Sequence, residues 1–194
     1  TQALLDCYTI RRELGSFSGL KIAIVGDIKH SRVARSGVKA FAAMGARVTL
    51  VAPRTLLPAS LEGWPVSVTE DMDAACAEAD VVYLLRMQLE RQDEALVPDL
   101  REYTSRFGLT SARAMALPKD TLVMHPGPMN RGVEVAGDVP DLANAVITNQ
   151  VENGVITRMA VLYKLLGSGV PLVGQTDEIE APAVPNTEGS AWPT

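Results

Sequence analysis

The sequence predicts an α/β fold, a three-layer open parallel sheet with helices on both faces. Three observations lead there. Short β-branched and aliphatic runs alternate along the chain with segments of helical periodicity. The runs are continuously apolar, as strands covered on both sides are, and lack the apolar–polar alternation of a half-exposed sheet. They are also closed by strong breakers: Gly26-Asp27, Pro53 and the prolines after Met124.

The elements follow in order. Leu4, Leu5, Tyr8 and Leu14 recur at helical spacing with Arg11, Arg12 and Glu13 between them, which predicts an amphipathic helix over residues 1–15. The chain opens inside that pattern and without an initiator methionine, so a missing upstream segment is expected. A Gly/Ser break leads to KIAIVGD (21–27), a buried strand. A helix is predicted from Ser31 to Met44, ended by Gly45 as a left-handed stop. RVTLVAP (47–53) is a second strand, PVSVTED (65–71) a weaker third, and residues 72–79 a short helix. VVYLLR (81–86) is the clearest strand. Helices near 98–107 and 110–116 precede the last strand, TLVMHPGP (121–128). Val151, Val155, Met159, Leu162 and Leu166 form a stripe that predicts a long final helix over 145–166, apolar nearly all round from Val155 onward. From Gly167 the chain is rich in Pro, Gly and acid without periodicity, which predicts a disordered tail over 167–194.

Bulk properties narrow the function. A chain of 194 residues, 47% hydrophobic and 21% charged, has room for one domain with a real core. Its net charge of −5, with no block of like charges, argues against a nucleic-acid surface. No apolar run reaches membrane-spanning length and no signal peptide is apparent. Cys7 and Cys76 lie in helical patterns and read as two reduced thiols of a cytoplasmic protein rather than as a disulfide.

Ligands of an open parallel sheet bind beyond the carboxyl ends of its strands. After the first strand comes GDIKHSR, with Asp27, Lys29, His30 and Arg32. After VVYLL comes RMQLER, with Arg86, Gln88, Glu90 and Arg91. After TLVM comes HPGPMNRGVE, with His125, Pro126, Gly127, Pro128 and Arg131. Three segments thus bring cations and amides to one edge, which suits a small ligand with more than one negative group, since a guanidinium grips a carboxylate or phosphate in a bidentate way. Singly, each residue has an ordinary reading. A loop Lys or Arg is usually solvated, Asp27 can close a turn or cap a helix, His30 is a polar loop residue, and His125 can be a satisfied buried histidine. The turn after Gly26 carries bulky, charged residues where a dinucleotide site needs G-x-G-x-x-G, and neither a P-loop, a metal-type Cys/His cluster nor a G-x-S-x-G turn is present.

These segments resemble the aspartate transcarbamoylase family. TQALLDCYTIRRELG is similar to its inter-domain helix, VGDIKHSRVARS to its first strand and aspartate loop, LLRMQLER to its Arg-x-Gln-x-Glu-Arg segment. HPGPMNRGVEV resembles its His-Pro-x-Pro-x-x-Arg-x-x-Glu motif, and QVENGVITRMAVLY its closing helix. The resemblance runs from Thr1 to about Leu166. It implies that Arg32 binds the α-carboxylate of L-aspartate and Arg86 the side-chain carboxylate, supported by Gln88. It implies that Gln2 contacts the carbamoyl group, that the Pro126 and Gly127 carbonyls orient the attacking amine, and that Gly127 and Pro128 border carbamoyl phosphate. Asp27, Lys29, His125 and Arg131 support the site, and Gly127–Pro128 is a candidate cis bond. Gly127 is often larger in the family, and residues 92–105 look longer than in some members. The sister family that uses ornithine should carry Ser-Met-Gly where this chain has Arg86-Met87-Gln88, a choice suited to an ammonium rather than a carboxylate.

The implied reaction forms N-carbamoyl-L-aspartate and phosphate, the committed step of pyrimidine synthesis, without metal or organic cofactor. The implied organisation is an inter-domain helix (1–15), an aspartate-binding domain (16–150), a closing helix (151–166) and the tail. The Ser-Thr-Arg-Thr-Arg segment that grips phosphate in the family is absent, so an N-terminal carbamoyl-phosphate domain is the expected partner. A homotrimer is implied when the chain is complete, and this part alone should be inactive. The alternative is a non-catalytic amino-acid-binding or assembly domain derived from a transcarbamoylase.

Overall fold

A computed structural model describes residues 1–87 and 99–167. Five parallel strands, β1 (Lys21–Val25), β2 (Arg47–Val51), β3 (Val66–Thr69), β4 (Val81–Leu84) and β5 (Leu122–Met124), form one sheet in the order β3-β2-β1-β4-β5. Every strand pair is parallel, with Ile22 beside Val48 on one side and Val81 on the other. The helices are α1 (Gln2–Leu14), α2 (Arg32–Ala43), α3 (Met72–Glu78), α4 (Leu100–Phe107), α5 (Ser111–Ala116) and α6 (Ile147–Leu162). The predicted elements are thus present. The strands are two to five residues shorter than their predicted runs, because the chain leaves the ladder as soon as it turns toward the carboxyl edge. Short 3-10 turns at Arg54–Leu56 and Val139–Asp141 carry no periodicity from which to read them.

Side chains set the helix starts. The Ser31 hydroxyl accepts from the Ala34 N–H at 3.0 Å, and Asp71, Asp99 and Thr110 cap α3, α4 and α5 in the same way. Gly45 follows α2 at φ 93°, the left-handed stop expected there. Right-handed crossovers running in opposite directions, β1–α2–β2 and β3–α3–β4, place α2 and α3 on opposite faces. Helix α1 packs on both α2 and α6, completing one layer. Arg113 of α5 pairs with Asp73 of α3 at 2.6 Å across the other. Between them β4 and β5 are buried along their whole length, as strands covered on both faces must be.

Helix α6 begins at Ile147, so a division at 150/151 falls inside it, and it ends in a π-helical turn over Tyr163–Gly167. The expectation of a disordered tail concerns residues that, apart from Gly167, lie outside the described ones. No described helix is long and apolar enough to cross a membrane. Cys76 is buried, Cys7 partly so, and both are free thiols that burial pushes up to about 11.

Candidate functional site

The sheet order makes β1, β4 and β5 consecutive, so the three segments singled out by their chemistry emerge side by side at one edge. The first turn is drawn in by Gly26, at φ 126°, where a Cβ would meet the Leu85 carbonyl at 2.9 Å. Only glycine lets β1 and β4 leave the sheet this close together. Asp27 then organises the loop: its buried carboxylate accepts from the His30 N–H at 3.2 Å and lies 2.9 Å from His30 Nδ1. Both ordinary readings therefore hold together, since Asp27 closes the turn and His30 is its partner. The Lys29 N–H donates to the Leu56 carbonyl at 2.8 Å. The loop ends at Arg32, the first residue of α2, whose side chain is exposed.

Arg86 follows β4 and is half-buried; Met87 beside it is fully buried. Gln88, Glu90 and Arg91 lie outside the described residues.

The turn after β5 is held from inside. His125 is fully buried, and its Nδ1 accepts from the Gly127 N–H at 2.9 Å. With Nδ1 an acceptor, the ring proton sits on Nε2, which faces Glu134 Oε1 at 3.3 Å. The same Glu134 oxygen accepts from the Asn130 N–H, and the Asn130 side chain donates to the Met87 carbonyl at 3.0 Å. That bond ties the β5 turn to the segment after β4. Gly127 has φ 64° and open space around it, and the Gly127–Pro128 bond is cis. A larger residue at 127 would meet backbone strain rather than a clash. Arg131 is exposed and donates to the Gly137 carbonyl at 2.6 Å, bracing its own loop.

Gln2 arrives from the far end of the sequence through a buried polar cluster. Asp6, one turn along α1, accepts from Gln2 Nε2 at 3.0 Å, from the Tyr83 hydroxyl of β4 at 2.8 Å and from Gln150 Nε2 of α6 at 2.6 Å. Gln150 Oε1 in turn accepts from the His125 N–H at 3.0 Å. Thr9 and Asn153 extend the cluster along the two helices with a 3.0 Å bond. Burial pushes the Asp6 carboxyl up to about 6, opposed by the bonds from Tyr83, Gln150 and Gln2. The Tyr83 hydroxyl is raised by burial and by the neighbouring Asp6 charge.

The structure therefore gathers Asp27, Lys29, His30, Arg32, Arg86, His125, Pro126, Gly127 and Pro128 at one edge, with Gln2 linked to the β5 turn. Asp6, Tyr83, Gln150, Asn130 and Glu134 were missed as positioning groups. Glu134 was legible as the last letter of the His-Pro-x-Pro-x-x-Arg-x-x-Glu pattern. Asp6 carried one signal, an acid inside the apolar stretch LLDCY. Among the described residues no group of three or more His, Cys, Asp or Glu is placed to hold a metal ion.

Comparison with known proteins gives a consistent family. The sequence matches "Aspartate/ornithine carbamoyltransferase, Asp/Orn binding domain" over residues 18–165. An aspartate carbamoyltransferase catalytic subunit of Acidothermus cellulolyticus is 53% identical over 193 residues, covering 99% of this chain and 58% of that protein. The chain thus spans somewhat over half the length of such relatives. The aspartate transcarbamoylase of Trypanosoma cruzi, solved with N-(phosphonacetyl)-L-aspartic acid, superposes with a TM-score of 0.75 at 32% identity, over 84% of this chain and 54% of that one. That enzyme has also been solved with carbamoyl phosphate and aspartate together. An ornithine carbamoyltransferase from Pyrococcus furiosus superposes with a TM-score of 0.74 at 29% identity, over 88% of this chain and 56% of that one. The backbone alone does not separate the aspartate from the ornithine enzymes.

Proposed function

The chain belongs to the aspartate/ornithine carbamoyltransferase family, and from that premise we propose that it is the aspartate-binding part of an aspartate carbamoyltransferase. The whole enzyme transfers the carbamoyl group of carbamoyl phosphate to the amine of L-aspartate, giving N-carbamoyl-L-aspartate and phosphate. The observation that carries the choice of aspartate over ornithine is the guanidinium of Arg86 at the end of β4, beside the cationic loop after β1. Two guanidinium-bearing segments on adjacent strands suit a dicarboxylate, whereas an ammonium side chain would be repelled there.

In this reading Arg32 receives the α-carboxylate and Arg86, with Gln88, the β-carboxylate. The carbonyls of Pro126 and Gly127 direct the amine toward the carbamoyl carbon, Gly127 and Pro128 border carbamoyl phosphate, and Gln2 contacts the carbamoyl group. Asp27, Lys29, His125 and Arg131 shape the loops that carry them. Catalysis rests on positioning and on stabilising the tetrahedral oxyanion. The phosphate clamp comes from an N-terminal carbamoyl-phosphate domain, the partner of α1 and α6, and the complete chain is a cytoplasmic homotrimer. Residues 1–15 and 151–166 are the helices that cross to that domain, and 16–150 the aspartate domain between them.

The test is the formation of carbamoyl aspartate by this chain, by a separately made carbamoyl-phosphate domain, and by the two together. Turnover is expected only from the combination, or from the complete chain. There, Arg86→Ala should raise KM for aspartate and lower kcat, a loss of about 2–5 kcal/mol for a removed charge pair. Unchanged aspartate kinetics would remove Arg86 from the site. Tight association without turnover would favour a non-catalytic binding domain.

A further inference from the structure

We propose that Asp6 is a positioning residue for the carbamoyl-phosphate side of the site, its carboxylate fixing which end of the Gln2 amide faces substrate and, through Gln150, where the turn after β5 stands. The proposal rests on the role given above to Gln2 and to the turn at Pro126–Pro128.

An ionised carboxylate only accepts hydrogen bonds, whereas a Gln side chain has a donating and an accepting end that differ little in shape. Asp6 is fully buried and takes three donors, at 2.8, 2.6 and 3.0 Å. The Gln2 NH2 must therefore turn inward, which leaves its carbonyl oxygen free to accept from the NH2 of a carbamoyl group. Gln150 is set by the same logic. Its NH2 is held by Asp6, so its carbonyl faces the other way, to the His125 N–H at 3.0 Å. One carboxylate thus decides the orientation of two amides, one pointed at the substrate and one at the backbone that borders it. A recess of about 110 Å³ lies where Gln2, Gln150 and Pro126 meet, so the three groups surround one space.

Protonation would undo this. A carboxylic acid donates as well as accepts, and Gln2 could then present either end. The titratable and charged groups around Asp6 are Tyr83 from β4, Cys7 on its own helix, and Arg158 of α6 in the same recess; Gln150 is neutral. Since burial pushes Asp6 up to about 6, the change falls within the pH range of ordinary assays.

The experiment uses the complete two-domain enzyme, with formation of carbamoyl aspartate by the unmodified protein as the control. If that control is inactive, the functional reading fails and not this one. Asp6→Asn, Gln2→Ala and the double variant are compared. Asp6→Asn should raise KM for carbamoyl phosphate about 10- to 100-fold, the range for one lost bond to a charged group, and leave KM for aspartate within about two-fold. In the Gln2→Ala background the same change should cost clearly less than it does alone, because the share of its effect carried by Gln2 is already gone and only the share carried by Gln150 remains. Tyr83→Phe keeps the carboxylate and removes a bond that lowers its pKa, so the acid limb of kcat/KM for carbamoyl phosphate should move to higher pH. That variant decides the matter alone if Asp6→Asn does not fold. Losses that simply multiply in the double variant, or an acid limb unmoved by Tyr83→Phe, would overturn the proposal.

Discussion

Helices α2 and α6 lie in the same layer and treat their faces in opposite ways. Helix α2 buries Ala34, Gly37, Val38 and Phe41 against the sheet and exposes Arg35, Ser36 and Lys39, the arrangement of an ordinary surface helix. Helix α6 buries Ile147, Gln150, Asn153 and Gly154, and turns Val155, Met159 and Leu162 outward, with Met159 64% exposed. Helix α1 shares part of the inversion: Asp6 and Thr9 are buried beside Leu5 and Ile10, while Leu4 and Tyr8 are exposed. The polar inner side of α1 and α6 is a hydrogen-bonded cluster, and their apolar outer side continues over Tyr163, Leu165 and Leu166. An exposed apolar face of that extent marks an interaction surface. Under the proposed function the two helices serve two neighbours at once, with the polar cluster on the side of the site and the apolar face on the side of the partner domain.

Three measurements test this contrast. The largest effect belongs to the ordinary helix. Phe41 is buried between Phe17 and Tyr83, with ring centroids at 6.4 and 6.0 Å. Phe41→Ala should lower stability by about 3–5 kcal/mol, the cost of an unfilled aromatic site, as read from chemical denaturation. A loss below 1 kcal/mol would mean that α2 does not anchor this layer.

Next comes the polar inner side, through pH. The folded pKa of Asp6, about 6, lies above its ordinary value of 3.8. Folding therefore favours the protonated form, and its contribution is complete below pH 3.8 and is lost as pH rises through about 6. Between pH 4.5 and 7.5 the wild type should lose on the order of 2 kcal/mol relative to Asp6→Asn, which lacks this proton. Parallel melting curves for the two proteins across that interval would show that Asp6 is not held as described.

The smallest effect is expected on the outer face. Met159→Ser and Leu162→Ser should change the stability of this chain by less than about 0.5 kcal/mol, because neither side chain is buried in it. The same substitutions should reduce self-association in sedimentation and weaken docking of a carbamoyl-phosphate domain. A large loss of stability in the isolated chain would instead show that this face packs on residues of the chain itself.

Local chemistry determined by the sequence alone accounts for most of the fold. The alternation of apolar runs with helical stripes, the helix start at Ser31, the stop at Gly45 and the His125–Arg131 motif all rest on contacts within a few residues, and such contacts are written in neighbouring letters. The cationic strand ends were legible for the same reason, once a parallel sheet was assumed. Strand order and the polar cluster were decided only in three dimensions. Periodicity reports which residues share a face of a helix, but not which face turns inward, and here the apolar stripe of α6 turned outward. Asp6 meets Tyr83 across 77 positions and Gln150 across 144, and no local pattern encodes a bond of that range. Burying a carboxylate is unfavourable unless donors converge on it, so its place is set by the assembled layers of the fold rather than by any one of its segments.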